Sequence, residues 1–521
     1  MVWIIEHSPA LLIAFPLATA FLCPMISRLG SGPRNLWVLI GAGLTTFVGL
    51  LAAQAVFLSG PLVYTFGAAA QYLTVPEGAA MPIRIIFSID AMSAIMVLLT
   101  SIIGFAVTVY AISSEERYTG LDSFFALFFL LIAGVYGLVC TGDLFNFFVF
   151  LEITGLAGAA LVAFRIEKGR AVEAGFKYAL LSTTAGLFML IGIGILYGQY
   201  GALNMAMIAE RLQYTRLDKI ALVLFVIPLG LKCGAVPMHF WKPDAYGRAP
   251  ASMAAFLILS SQASLYGMMR ILFSVYNVNA PANFGWVIIV LGVLSMIVGV
   301  TMALPQKDLK RFIAYLAVAQ TGYMLLAFGT GFAVLHDPAA LESFGKTAIA
   351  GGIFHLFNDT LYKGLIFLTA GAVIYRTGKK KIDELGGLGR SMKVTMACFG
   401  IAALATSGIP PFNGFASKLM IYESVFRFNP FLAVIAMVVS VLTLASVAKI
   451  FHSVFMGPAR KEFADVEEAP ATMTFSMILL SVLCIVLGLF AGPFVENFIN
   501  PAVNALINQS AYINSVLGSA L

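Results

Sequence analysis

Charge is scarce in this chain: Asp, Glu, Lys and Arg make up 11% of its 521 residues, against 60% hydrophobic. So little polarity cannot solvate the surface of a soluble domain of this size. Cysteine and histidine are scarcer still, at five each. Cys23, Cys140, Cys233, Cys398 and Cys484 are scattered, mostly inside apolar runs, with no CxxC pair or histidine cluster beside them. That excludes a disulfide framework and an iron–sulfur or zinc site in the chain itself. There is no GxxxxGK[ST], no GxGxxG behind a strand and no nucleophile elbow, so neither ATP hydrolysis nor hydride transfer is available. The net charge of +6 is spread over short connections without a basic stripe, which excludes nucleic acid as a partner.

What remains is apolar sequence in runs of about 20 residues, repeated from end to end, and this makes the chain an all-α polytopic membrane protein. We place fourteen spans near 9–27, 36–58, 85–112, 122–141, 144–164, 173–198, 219–241, 250–275, 284–304, 311–334, 345–375, 394–424, 430–457 and 473–495. The segment 497–518, rich in Asn and Ser, is expected to lie along the membrane surface. Lys and Arg concentrate in the odd-numbered connections, Lys242 and Arg248 among them, which predicts a cell (cytoplasmic) membrane protein with both termini outside. Glu6 and no Lys or Arg precede the first run, so it reads as a retained span.

Three spans read as broken. The seventh has Gly234 and Pro237, the eleventh has the polar knot HLFNDTLYK, and the twelfth has Gly408, Pro410, Pro411 and Gly414 in SGIPPFNGFASK. Irregular backbone at membrane depth survives only when buried in protein or lining water. The GAVP and GIPP breaks lie five spans apart, each with a lysine nearby, Lys232 and Lys418. Interrupted spans in matching positions of two halves point to an inverted-repeat transporter.

The few charges inside spans are the candidate functional groups, because each costs at least about 2.5–3.5 kcal/mol at membrane depth. Glu152, in LFNFFVFLEITGLAG, needs a cation to stay ionised, and Lys232 is its natural partner. Asp143 stands at the mouth of the same span, and His239 and Asp244 follow the seventh-span break. His355, Asp359 and Lys363 are spaced four and four and share a helix face, with Lys418 beyond them. A structural ion pair, a core histidine and a snorkelling lysine are the bland alternatives for these groups. Lys177 either assists Glu152 or reaches the interface.

Taken together, DLFNFFVFLEI, FKYALLS, LKCGAVPMHFWKPDAYGRAPASMAA, ALPQKDLKRFIAYLAVAQTGYMLLA, HLFNDTLYKGLIFLTAGAVI and GIPPFNGFASK resemble a known family. It is the antiporter-like subunits shared by Mrp-type sodium/proton antiporters, membrane-bound nickel–iron hydrogenases and respiratory complex I, with the Mrp D-type subunits nearest. The resemblance implies about 14 transmembrane helices, two inverted five-helix repeats with broken helices, and a hydrated row of charges at the membrane midplane. Residues 1–112 would form helices 1–3, 122–275 the first repeat (helices 4–8), 284–457 the second (helices 9–13), and 473–521 helix 14 and a C-terminal segment. It also implies a proton path through Glu152, Lys232, His355 and Lys418, with Asp143, Lys177, His239, Gln262, Asp359 and Lys363 as possible relays.

Two departures stand out. SQASLYGMMR places Gln262 where many relatives carry a lysine in the eighth helix, and Gln cannot hold a proton near neutral pH. Asp359 stands where some relatives have a second histidine. The expected function is therefore translocation of H+, Na+ or both within a multisubunit complex of other membrane subunits in the lipid bilayer. A redox-driven hydrogenase-type complex is our first expectation, its peripheral redox arm carrying any iron–sulfur clusters and nickel–iron centre in partner chains, with no cofactor in this one. A stand-alone Mrp antiporter is the second, and an inactive scaffold with its relay cut at Gln262 is the third.

Overall fold

The computed structural model describes residues 2–66, 85–277, 283–458 and 460–518. It opens with α1 (Val2–Ser27) and α2 (Ser31–Ser59), then β1 (Leu62–Thr65) paired antiparallel with β2 (Ile86–Ile89), Leu62 opposite Ile89. There follow α3 (Ala91–Ser114), α4 (Leu121–Cys140), α5 (Leu144–Val162), α6 (Gly169–Tyr200), α7 (Met205–Arg211), α8 (Arg216–Cys233) and α9 (Trp241–Arg248). Next come α10 (Ala251–Met269), continued by a π-helical turn to Tyr276, α11 (Asn283–Ala303), α12 (Leu309–Ala333), the short α13 (Pro338–Ala340) and α14 (Lys346–Thr377). The chain closes with α15 (Lys393–Ser407), α16 (Asn413–Phe428), α17 (Pro430–Phe451), α18 (Ala471–Leu489), the short α19 (Ala491–Phe494), α20 (Asn500–Ile507) and α21 (Gln509–Leu517).

Among the described residues twelve helices, with α8–α9 counted as one, are long and apolar enough to cross a membrane. The polar α14 and the interrupted α15–α16 supply the other two expected spans, and the protein is a multi-pass membrane bundle. Every residue of α10 from Ser252 to Met269 and of α14 from Ala348 to Val373 is buried, so these two helices form the centre. Outer helices keep one greasy face exposed, as at Phe176, Leu180 and Leu187 of α6 and Val434 and Val441 of α17. Lipid accepts such faces, which is why these helices are apolar all round. Where α11 meets α12, a Cβ on Gly299 would lie 2.4 Å from the Ala319 nitrogen, and one on Gly322 would lie 2.5 Å from the Gly292 oxygen. Small residues are what let two membrane helices approach backbone to backbone.

Two expectations are corrected here. Residues 86–89 belong to a strand and not to the third span; they are apolar except for Ser88 and all buried, and hydropathy cannot separate a short buried strand from the start of a helix. The eleventh span is unbroken, because α14 runs helically through HLFNDTLYK. That stretch lacks Pro and Gly, and its polar side chains find partners on neighbouring helices instead of unwinding their own. Asn358 and Asn413 show this, with amide–carbonyl bonds of 3.0 Å tying α14 to the start of α16. The two remaining breaks are real and alike. α8 ends at Gly234 (φ 80°) and α15 at Gly408 (φ 78°), left-handed positions that favour glycine, and each is followed by a proline turn into a second half-helix. The C-terminal segment folds back as α20 and α21, with Val503, Leu506 and Val516 buried and Gln509 donating to the Ser274 and Val275 carbonyls.

Candidate functional site

The α5 acid and the last turn of α8 meet as expected. Lys232 Nζ lies 3.0 Å from Glu152 Oε1 and donates to the Leu151 carbonyl at 3.1 Å. The lysine is buried, and the glutamate side chain keeps 18% of its surface exposed. Two glycines make room for this pair: a Cβ on Gly186 of α6 would sit 2.1 Å from Glu152 Oε1, and one on Gly155 of α5 would sit 3.4 Å from Lys232 Nζ. At the end of α8, the Leu231 carbonyl accepts from Trp241 Nε1 (2.9 Å) as well as from the Gly234 amide (3.0 Å), and the Cys233 carbonyl accepts from Lys242 Nζ (2.8 Å).

A second polar cluster lies on α14. The His355 ring bonds Ser417 Oγ through Nδ1 (3.0 Å) and Gln320 Oε1 through Nε2 (3.1 Å), bridging α16 and α12. Asp359 Oδ2 accepts from Gln262 Nε2 of α10 at 2.9 Å, and its Oδ1 has no hydrogen-bond partner. Lys363 Nζ, fully buried, also has none. The positive charges of Lys363 and Lys242 both bear on Asp359. Lys418, buried on α16 and therefore not snorkelling, donates to the Thr406 carbonyl at the end of α15 (2.9 Å) and to Ser440 Oγ (3.1 Å). A lysine of this kind is a compact charge that exchanges its proton when burial and neighbours allow.

Other candidates are placed elsewhere. Lys177 pairs with Glu173 at 2.5 Å and approaches Asp244 at 4.0 Å, with no bond to Glu152. His239 is half-buried in a short 3-10 turn, its ring centroid 6.5 Å from that of Tyr315, with no bond to the row. Asp143 caps α5 through the Asn146 amide (2.8 Å), and burial pushes its carboxyl up to about 6. Among the described residues no group of three or more His, Cys, Asp or Glu is placed to hold a metal ion, and all five cysteines are buried thiols.

Two features escaped the sequence reading. Lys242, read as a loop charge, is 1% exposed and lies inside the bundle. The signal was its place in WKPD, five residues past Pro237 and on the second half of a broken span. Asp90 and Arg270 form a buried bidentate pair, 2.6 and 2.7 Å, joining α3 to the end of α10; each stood as a lone charge at the edge of an apolar run.

Residues 141–443 match the family described as NADH:quinone oxidoreductase/Mrp antiporter, TM. The chain is 32% identical over 507 residues to NADH-quinone oxidoreductase subunit N of Desulforudis audaxviator, covering 93% of this chain and 96% of that one. It is 32% identical over 416 residues to the D-type subunit of a Na(+)/H(+) antiporter of Alkalihalophilus pseudofirmus, covering 78% and 80%. A chain of the membrane-bound sulfane sulfur reductase, an archaeal respiratory membrane complex, superposes with a TM-score of 0.85 at 29% identity over 98% of this chain and 99% of that one. The chain belongs to the NADH:quinone oxidoreductase/Mrp antiporter transmembrane family.

Proposed function

We propose that this chain is the ion-translocating subunit of a multisubunit membrane complex, moving protons by opening and closing the Glu152–Lys232 pair. The observation that carries this is the pair itself: a 3.0 Å contact between a buried lysine and a glutamate with a wet side, at the end of a broken helix. Such a pair is worth about 4 kcal/mol at 4 Å and an effective dielectric of 20, against about 1 in water. Opening it therefore changes the lysine's hold on its proton by roughly 3 kcal/mol. His355 and Lys418 would carry the proton across the second half, with Gln320 and Ser417 orienting the imidazole.

The chain has no chemistry to drive this cycle, so a partner supplies it. We take the driver to be a redox reaction in a peripheral arm of the hydrogenase type, whose iron–sulfur clusters and nickel–iron centre sit in partner chains. The alternative, a D-type antiporter component that exchanges sodium for protons without a redox arm, is favoured by the 32% identity to the Alkalihalophilus protein. The lysine and arginine asymmetry of the connections supports placing both termini outside.

Purifying the complex from its own membranes through a C-terminal tag, and assaying iron, nickel and subunit composition, separates the two. Iron with soluble subunits supports the redox reading; a metal-free set of membrane subunits supports the antiporter. Coupled transport that survives Lys232→Ala in an assembled complex rejects the switch in either.

A further inference from the structure

Gln262 leaves α10 without a titratable cation in the row, and Lys242 buries one on α9. Its ammonium donates to the Cys233 carbonyl, the residue after Lys232, and to Thr321 Oγ1 of α12 at 3.3 Å. Its charge falls on Asp359, the carboxylate that Gln262 holds. It thus touches the end of α8 next to Lys232, and its charge also reaches Asp359.

The second break repeats the arrangement. Lys242 follows the left-handed Gly234 and bonds a carbonyl at the end of α8; Lys418 follows the left-handed Gly408 and bonds a carbonyl at the end of α15. A Cβ on Gly234 would lie 2.5 Å from Lys242 Cδ, and one on Gly408 would lie 2.8 Å from Lys418 Cδ, so both side chains run over the glycine of their break. A plain capping role does not account for Lys242. Capping needs no charge, as the Trp241 indole shows on the neighbouring Leu231 carbonyl, whereas burying an ammonium on neutral acceptors costs several kcal/mol.

We infer that Lys242 is a proton-carrying station of the row, the first-half counterpart of Lys418. In the step it performs, an N–H bond of the Lys242 ammonium breaks and the proton passes through water to the Asp359 carboxylate, leaving a neutral amine. The amine is then reprotonated from the Lys232 side. This rests on the Glu152–Lys232 reading, so Lys232→Ala is measured alongside.

The test uses the intact complex in pyranine-loaded proteoliposomes, driven by whichever of a sodium gradient or its own electron donor moves protons in the unmodified protein. Lys242→Met is expected to keep subunit composition and lose proton movement by about a hundredfold. Lys242→Arg keeps the charge but cannot release its proton near neutral pH, and is expected to lose as much. Adding Gln262→Lys to Lys242→Met should restore transport, because position 262 already reaches Asp359. Wild-type rates in either Lys242 variant overturn the inference. If Lys232→Ala is then inactive, the pair switch stands; if it is active too, both fall. Rescue by Arg but not by Gln262→Lys, or failure of every Lys242 variant to assemble with Gln262→Lys present or absent, assigns the residue to structure and also overturns it.

Discussion

Gly186→Ala perturbs the central ion pair without touching either charge. The new methyl would lie 2.1 Å from Glu152 Oε1 and 2.6 Å from its Cδ, so the carboxylate must retreat by about 1 Å even to clear the overlap. The clashing atoms are the far end of a flexible side chain, and the fold gives way there at a rotamer cost of roughly 0.5–1.5 kcal/mol. Coulomb attraction at an effective dielectric of 20 is about 5.5 kcal/mol at the observed 3.0 Å and about 4 at 4 Å. The loss, about 1.4 kcal/mol for a retreat along the pair axis, shifts the ratio of closed to open pairs roughly tenfold. Proton movement in proteoliposomes should fall toward that of Glu152→Gln, with assembly intact. Gly194→Ala on the same helix is the control: nothing lies within 4 Å of its new methyl, and the helix should gain up to about 1 kcal/mol. Equal transport by both glycine variants and the unmodified complex would refute the view that the closeness of Glu152 to Lys232 sets the rate.

Gly322→Ala puts a methyl 2.5 Å from the Gly292 oxygen and 2.6 Å from the Met296 nitrogen, backbone atoms that cannot yield, so the yield of assembled complex should drop sharply. Arg270→Ala strands Asp90 in the interior and should cost about 3–5 kcal/mol, read as a fall in the thermal midpoint of the solubilised complex. Asp143 binds its proton more tightly folded than unfolded, its carboxyl rising from 3.8 to about 6, so its contribution to stability is present below pH 3.8 and is lost as pH climbs through 6. Asp143→Asn retains the cap and should remove about 1.3 kcal/mol of the stability difference between pH 5 and pH 7; an unchanged difference in thermal midpoints counts against it.

The sequence made the outer architecture legible because hydropathy and the cost of buried charge are both local signals. Glu152 and Lys232 could be paired before any coordinates, since each is a lone charge in an otherwise apolar span. The unbroken α14 was not legible, because whether a polar knot unwinds depends on partners such as Asn413, Ser417 and Gln262 that arrive from distant spans. Lys242 was misread for a related reason. Past Pro237 the sequence looks like a loop, and only the fold shows that α9 lies buried inside the bundle. The strand at 86–89 shares its hydrophobicity with a helix start, and its pairing with β1 is non-local.

The glycine floors under Lys242 and Lys418 bear on tempo. Each lysine crosses its glycine at Cδ, so the last two side-chain bonds lie beyond the crossing. A swing of these bonds covers about one hydrogen-bond length and belongs to the ps–ns regime of side-chain rotation, far faster than the μs–ms hinge motions of whole helices. These stations can hand over a proton many times before any helix moves. In the proposed cycle the clock is therefore set by whatever opens the Glu152–Lys232 pair.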